Sequence, residues 1–191
     1  MQRAVNSFLL FVVALHIAAA VSLAEDKAEG KPTTMSLSGD KVTLTAPADF
    51  VATKPGNNII AYEFAAPKVE GDERDGRLTV MTASGSVDAN VDRWIAQFAQ
   101  PDGKPTKERT EIKKLAIGGQ EVHLVDISGT FSDRPGPFAP GVNREGYRML
   151  GAIIDTADHG QHFLKFYGPA KTVAAHEKAF DALVKSLKVA E

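Results

Sequence analysis

The amino-acid sequence contains no cysteine among its 191 residues. Disulfide bonds, cysteine-ligated zinc, iron–sulfur clusters and thiol catalysis are therefore excluded. Small exported domains often depend on disulfides, so a domain without them must be stabilised by packing alone. This composition is more typical of a bacterial periplasm than of a disulfide-rich extracellular setting.

An excess of positive charge is also missing. The chain has 22 Lys and Arg against 24 Asp and Glu, which gives a formal net charge of −2. Nucleic-acid binding needs cations that neutralise phosphates, so we expect no nucleic-acid partner. Common catalytic motifs are lacking as well: residues 84–86 do not form the Gly-x-Ser-x-Gly nucleophile elbow, and there is no phosphate-cradling glycine loop. We assign no catalytic residue and no cofactor.

Apart from one stretch, the sequence lacks long hydrophobic runs. Residues 8–21 form an apolar run of 14 residues. This is too short for a bilayer core of about 30 Å, which needs roughly 20 apolar residues. Arg3 precedes the run, and small residues including Ala24 follow it. This order is typical of a signal peptide, so we predict that residues 1–24 are removed; a cut after Ala20 fits as well.

Export would place the mature protein outside the cytoplasm, either secreted or periplasmic. We expect no membrane insertion after signal cleavage, because no later run is long and apolar enough. Residues 25–34 are polar and contain glycine and proline, which indicates a flexible lead-in. Residues 35–191 have the size of one domain with a normal hydrophobic core. The oligomeric state stays open.

Alternation of apolar and polar residues predicts a series of strands. Turn residues separate them: residues 38–40 close a first hairpin, Gly118-Gly119 a second and residues 157–161 a third. The predicted strands are 35–37, 42–46, 59–65, 77–83, 111–117, 120–129, 147–156 and 162–168. Hairpin connections make the predicted sheet mostly antiparallel.

Two amphipathic helices are predicted as well. Residues 87–98 carry an apolar stripe at helical spacing, with Ser86 or Asp88 as the N-cap. The last helix starts near Pro169 or at Thr172. Because the two helices lie far apart in sequence, they can cover opposite faces of one sheet. The predicted fold class is therefore α+β, an antiparallel sheet with helices on both faces in an α/β/α sandwich.

This pattern resembles the PsbP/Mog-like superfamily. The resemblance covers roughly residues 40–188 and is strongest in the helix Asn-Val-Asp-Arg-Trp-Ile-Ala-Gln-Phe at 90–98, the Gly-Gly hairpin and the final strands and helix. It is closest to uncharacterised secreted bacterial members. The resemblance implies an antiparallel sheet between helices and no known enzyme activity. Characterised relatives are extrinsic photosystem subunits and a nuclear factor that binds a small GTPase, and no binding residue is carried over from them.

The most unusual segment is residues 130–146, with three prolines and three glycines in 17 residues. Loops longer than about 12–15 residues are uncommon in compact domains and often carry function. Phe131 and Phe138 could anchor this segment or dock a partner, and Arg134 and Arg144 could hold a carboxylate or phosphate. We predict these four as binding residues. The alternative is a loop that covers a sheet edge.

Three other groups suggest competing functions. Asp126 and Asp155 lie in apolar strands and could serve acid–base chemistry in a small hydrolase or isomerase. His159 and His162 form a His-x-x-His pair that could bind a metal weakly, although no third ligand follows at a usual spacing. The acidic loop at 66–76 could add a second contact. The interpretation favoured here is an exported, non-catalytic binding or accessory module for an unknown protein or small ligand, with no metal site.

Overall fold

The computed structural model describes residues 30–134 and 140–190. The predicted signal peptide and Phe138 lie outside these residues. The strands are β1 (Thr33–Leu37), β2 (Val42–Ala46), β3 (Val51–Thr53), β4 (Ile60–Ala66), β5 (Gly76–Ala83), β6 (Phe98–Ala99), β7 (Glu111–Ile117), β8 (Gln120–Asp133), β9 (Val142–Thr156), β10 (Gly160–Pro169) and β11 (Lys188–Val189). The helices are α1 (Val87–Ile95), α2 (Ala170–Ala175) and α3 (Glu177–Lys185), with a 3-10 turn at Thr106–Arg109.

The strands form two sheets, and every pairing is antiparallel. The large sheet has eight strands in the order β3-β4-β5-β10-β9-β8-β6, with β7 paired to β8 on the same side as β6. The small sheet has the order β1-β2-β11. The prediction of a mostly antiparallel α+β fold is therefore confirmed. Within the described ranges, no helix is long and apolar enough to cross a membrane.

The central strands are buried because their residues alternate between two hydrophobic clusters. Successive residues of a strand point to opposite faces of the sheet. In β10, Phe163 belongs to a cluster with Trp94 of α1. The next residue, Leu164, belongs to a different cluster that contains Leu183 of α3 and Leu44 of the small sheet. Alternating side chains of one strand thus contribute to both hydrophobic clusters.

Local chemistry places several of the predicted boundaries correctly. Ser86 is the N-cap of α1, and its hydroxyl accepts a hydrogen bond from the backbone N–H of Ala89 at 3.2 Å. Gly118 and Gly119 close the β7–β8 hairpin with φ of 58° and 77°. A type I′ turn needs positive φ at both central positions, which glycine adopts without strain.

The helices are shorter than the periodicity predicts. α1 ends at Ile95, and Phe98 lies in β6, where it pairs with Phe131. The last helix is divided at His176, whose φ of −102° is not helical and whose Nε2 lies 2.9 Å from the carbonyl oxygen of Pro67. Burial of these side chains, not helical periodicity, determines where each helix ends.

The predicted loop at 130–146 is wrong. β8 and β9 continue as paired strands until Asp133 lies opposite Val142, so both strands extend well into the predicted loop. The register shifts between Gly129 and Phe131, and the Phe131 ring is 4% exposed. Contacts between aromatic rings stabilise the paired strands here. The ring centroid of Phe131 lies 5.1 Å from that of Phe98, and the Phe131 ring stacks on Tyr147 with centroids 5.9 Å apart.

A glycine in the middle of β9 makes room for the single tryptophan. A Cβ atom at position 151 would lie 2.9 Å from Cε3 of Trp94 and closer still to Cζ3. The indole meets Phe163 edge-on, with centroids 6.0 Å apart and an interplanar angle of 89°. Gly151 therefore sets how closely α1 approaches the sheet.

We expect Gly151→Ala to lower the free energy of unfolding by about 1–3 kcal/mol, because the added methyl overpacks the indole. Chemical denaturation checks this. In a Trp94→Phe background the same substitution should cost less, since the smaller ring leaves space for the methyl. An equal cost in both backgrounds would contradict the role given to this contact.

Candidate functional site

The largest described cavity has a volume of about 670 Å³ and opens on the face of the large sheet where α1 lies. Its floor consists of residues at alternate positions of two neighbouring strands: Arg77, Thr79 and Met81 of β5 and Lys165 and Tyr167 of β10. Its walls come from the end of β8, the residues after α1 and the start of β4. Phe131, Ser132, Asp133, Arg134, Ala96, Gln97, Gly56, Asn57 and Ile60 line them.

The cavity exists because α1 is short and because β4 is irregular. Nine residues of helix extend about 14 Å, which is too short to cover the whole width of the sheet. The alternation of β4 predicts Ile60 on the same face as Tyr62 and Phe64, but a register shift lies between Ile60 and Tyr62. This irregularity turns Ile60 to the cavity wall, while Phe64 stays in the opposite cluster.

Lys165 is the central charged group of the cavity. Its Nζ donates a hydrogen bond to Oε1 of Gln97. The ammonium also lies 5.0 Å from the ring centroid of Phe131 and 4.8 Å from that of Tyr167, within the range of cation–π attraction. Within residues 30–134 and 140–190, no carboxylate forms an ion pair with it. Lys165 thus presents a positive charge whose direct contacts are with neutral groups.

Burial, together with the neighbouring charge of Arg77, lowers the pKa of Lys165 to about 8. Removing a charged ammonium from water disfavours its protonated form. Asp133 acts in the opposite direction but does not overcome the burial. At neutral pH the side chain is still mainly protonated, so it offers a poorly solvated cation to whatever enters the cavity.

Arg77 holds the adjacent part of the floor rigidly. Its Nε and Nη2 donate to both carboxylate oxygens of Glu63 at 2.7 and 2.9 Å, and its Nη1 donates to the Tyr167 hydroxyl at 2.6 Å. The Glu63 hydrogen bonds raise the pKa of Arg77, and the guanidinium in turn lowers the pKa of Glu63. Since this bidentate pair is neutral overall, Arg77 positions Tyr167 beneath the Lys165 ammonium and adds little free charge.

The cavity can therefore bind an anion that also has an apolar part. One ammonium lies inside, the exposed Arg134 guanidinium lies at the rim, and aromatic rings form part of the surface. The Asp133 carboxylate is engaged by Arg144, whose Nε donates to it at 3.1 Å. Ligand cavities combine apolar walls with a few placed polar groups and typically measure about 300–1,000 Å³, and this cavity fits that description.

The structure brings together only part of the predicted binding set. Phe131 and Arg134 line the cavity. Arg144 lies beyond Asp133 and faces a separate surface depression of about 520 Å³. In this depression, residues 143–147 meet residues 71–74 of the predicted acidic loop. Phe138 lies outside the described residues.

Sequence analysis missed Lys165, Arg77 and Tyr167. Lys165 interrupts the apolar strand Phe-Leu-Lys-Phe-Tyr at 163–167. This interruption is the one feature of the sequence that indicates a site at Lys165. A lysine inside a strand that is covered on both faces is costly unless it has a purpose. The partners of Lys165 could not be found in the same way, because they come from strands distant in sequence.

The strand carboxylates do not converge. Asp126 lies opposite Leu150 in the β8–β9 pairing, so Asp155 is five residues further along, about 17 Å away. Asp126 is also occupied, since it accepts two hydrogen bonds from Arg148 at 3.0 and 2.6 Å. Arg148 in turn donates to Glu177 at 2.7 Å. The arrangement ties α3 to the sheet and leaves no paired acid and base.

The two histidines of the 159–162 pair are separated by their environments. His162 is fully buried, burial lowers its pKa, and its Nδ1 has no hydrogen-bond partner among the described residues. The His159 ring is instead partly exposed, and its Nε2 lies 3.4 Å from the carbonyl oxygen of Ala190. In the part of the chain that the structure describes, no three histidines or carboxylates are grouped as metal ligands.

No family model matches this sequence, and no curated protein is significantly similar to it. Solved structures are similar at low identity. The solution structure of cyanobacterial PsbP (CyanoP) from Synechocystis sp. PCC 6803 has 10% identity and a TM-score of 0.49, over 92% of this chain and 99% of that one.

A protein of unknown function from Pseudomonas aeruginosa has 13% identity and a TM-score of 0.45, over 85% of this chain and 99% of that one. A Bacteroides thetaiotaomicron protein has 13% identity and a TM-score of 0.44, over 85% of this chain and 49% of that one. These similarities concern the fold alone. They say nothing of what this chain binds, and membership of the PsbP/Mog-like superfamily stays a prediction.

The state of Lys165 can be tested through the pH dependence of stability. Its pKa of about 8 in the folded protein lies below its ordinary value of 10.5. Between these two values the unfolded chain binds more protons than the folded protein, so the free energy of unfolding rises with pH. Lys165→Met removes this contribution. We expect the variant to be more stable than the wild type at pH 7 and the difference to shrink between pH 8 and 10.5.

Thermal denaturation of both proteins across this pH range provides the measurement. Lys113→Met, at an exposed lysine of β7 that pairs with Glu111, is the matched control and should follow the wild type. A constant difference between Lys165→Met and the wild type would show that Lys165 titrates normally.

Proposed function

We propose that this protein is an exported, non-catalytic binding module whose cavity holds a small organic anion. The observation that carries the proposal is the half-buried Lys165, whose ammonium faces the cavity without a carboxylate ion-pair partner among the described residues. Buried charges are normally paired. A bound anion would complete this site.

The surrounding groups favour a ligand over a purely structural role for the lysine. A structural lysine would gain stability from a carboxylate at hydrogen-bond distance, and Asp133 lines the same cavity. Asp133 instead pairs with Arg144, while the ammonium points between Phe131 and Tyr167. The acid that lines the cavity is thus paired with Arg144 and not with Lys165, which leaves two ammonium protons for a ligand.

Two broader features belong to the same proposal. We infer an α/β/α sandwich, because α1 and α3 contribute side chains to separate clusters that successive residues of β10 enter. We also infer a secreted or periplasmic location from the apolar run at 8–21. In such a setting a small module with a preformed cavity would capture or deliver a ligand, with the protein surface around residues 71–74 and 143–147 available to a partner.

Anion binding is tested by isothermal titration calorimetry of the protein with acetate, butyrate, benzoate and inorganic phosphate. We expect at least one of these anions to bind the wild type. Lys165→Met should weaken that binding by about 10- to 100-fold, the usual contribution of a hydrogen bond to a charged group. Lys113→Met should bind like the wild type. Equal binding by Lys165→Met and wild type, or no binding of any anion, would refute the proposed site.

Export is tested by sequencing the N-terminus of the native protein. We expect it to begin at Glu25, or at Val21 if the cut follows Ala20. Replacement of Leu10 and Val12 by Arg should keep the protein in the cytoplasm, because a charged core is not recognised as a signal. A native protein that still begins at Met1 would contradict the proposed location.

A further inference from the structure

A second, smaller cavity continues from the first along the sheet. It has a volume of about 260 Å³ and shares the lining residues Thr79, Met81, Gln97 and Lys165 with the larger cavity. Lys165 and Gln97, joined by their hydrogen bond, therefore lie where the two cavities meet. A ligand bound at the ammonium has access to both.

The second cavity is apolar where it leaves Lys165. Met81 and Ala83 of β5 form one side, and the rings of Trp94 and Phe163 form the other. From Thr79 to Ala83, β5 extends for four residues, about 13 Å. The far end is polar, because Asn90 and Arg93 lie there and hydrogen-bond to each other. The result is a cavity with apolar sides between the Lys165 ammonium at its inner end and the Arg93 guanidinium at its far end.

We propose that the ligand is an alkyl carboxylate, with its carboxylate at Lys165 and its chain along β5 beneath α1. The inference rests on the proposed function and names the class of anion. The Lys165 ammonium matches the charge of one carboxylate, since Glu63 already neutralises Arg77 and Arg93 lies at the far, exposed end of the smaller cavity. A purely polar anion would leave the surface between Met81 and Phe163 uncovered, whereas an alkyl chain would remove it from water.

The test is a chain-length series of butyrate, hexanoate, octanoate and decanoate, titrated below the concentrations at which they form micelles. We expect affinity to rise about three- to fourfold with each methylene that enters the smaller cavity. Decanol, which has the chain without the charge, should bind at least tenfold more weakly than decanoate. Lys165→Met should bind decanoate and decanol alike.

A variant pair tests the location of the chain. Ala83 lines the second cavity only, so Ala83→Phe should fill it and lower decanoate affinity at least tenfold while butyrate affinity is unchanged. Thr82→Phe is the matched control, because Thr82 is the adjacent, exposed residue of the same strand and points to the other face. It should bind decanoate like the wild type.

Each result distinguishes the two proposals. If butyrate binds through Lys165 but affinity does not depend on chain length, the alkyl inference is wrong and anion binding stands. If decanoate binds equally to Lys165→Met and wild type, the carboxylate is not at Lys165 and the inference fails. If no member of the series binds but phosphate does, the cavity takes a polar anion. If no anion binds at all, both proposals fail.

Discussion

The pairing of β10 with β9 and β5 is the constraint on which the rest of this structure depends. β10 lies in the middle of the large sheet, so its side chains have no route to solvent except through a gap in what covers them. Phe163 and Trp94 close one part of one face, and Phe166 and Phe180 close the other. Lys165 lies on the same face of the sheet as Phe163 and Trp94. The gap beside α1 gives its ammonium access to water and ligands.

A lysine at this position costs stability, and the surrounding structure reduces that cost without removing it. Gln97 accepts one hydrogen bond, and two rings stabilise the ammonium by cation–π attraction. A carboxylate would do more, yet Arg144 holds the nearby Asp133. Proteins retain costly buried charges mainly where those charges have a function. This is the physical reason for proposing a binding role for Lys165 and not for Asp126, whose carboxylate accepts two hydrogen bonds from Arg148.

The predicted binding segment illustrates how a local pattern misleads. Prolines and glycines between 130 and 146 indicate a long loop, but β8 extends to Asp133 and β9 begins at Val142. Phe131 lies in β8, where its ring stacks on Tyr147 and meets Phe98. Phe131 and Arg134, predicted as binding residues of a loop, line the cavity, and their role in binding stays a prediction. The prediction of a single final helix failed because His176 bonds to Pro67.

The sequence by itself determined the elements whose causes are local. Strand alternation, the Gly118-Gly119 turn and the Ser86 cap depend on neighbours within a few residues, and a single chain displays those neighbours directly. Tertiary structure alone decided the site. Lys165, Gln97 and Arg77 are at least 20 residues apart in sequence and meet only because β10 pairs with β5 and α1 packs across them. Which strands become neighbours is set by the burial of the whole sheet, and no local pattern records it.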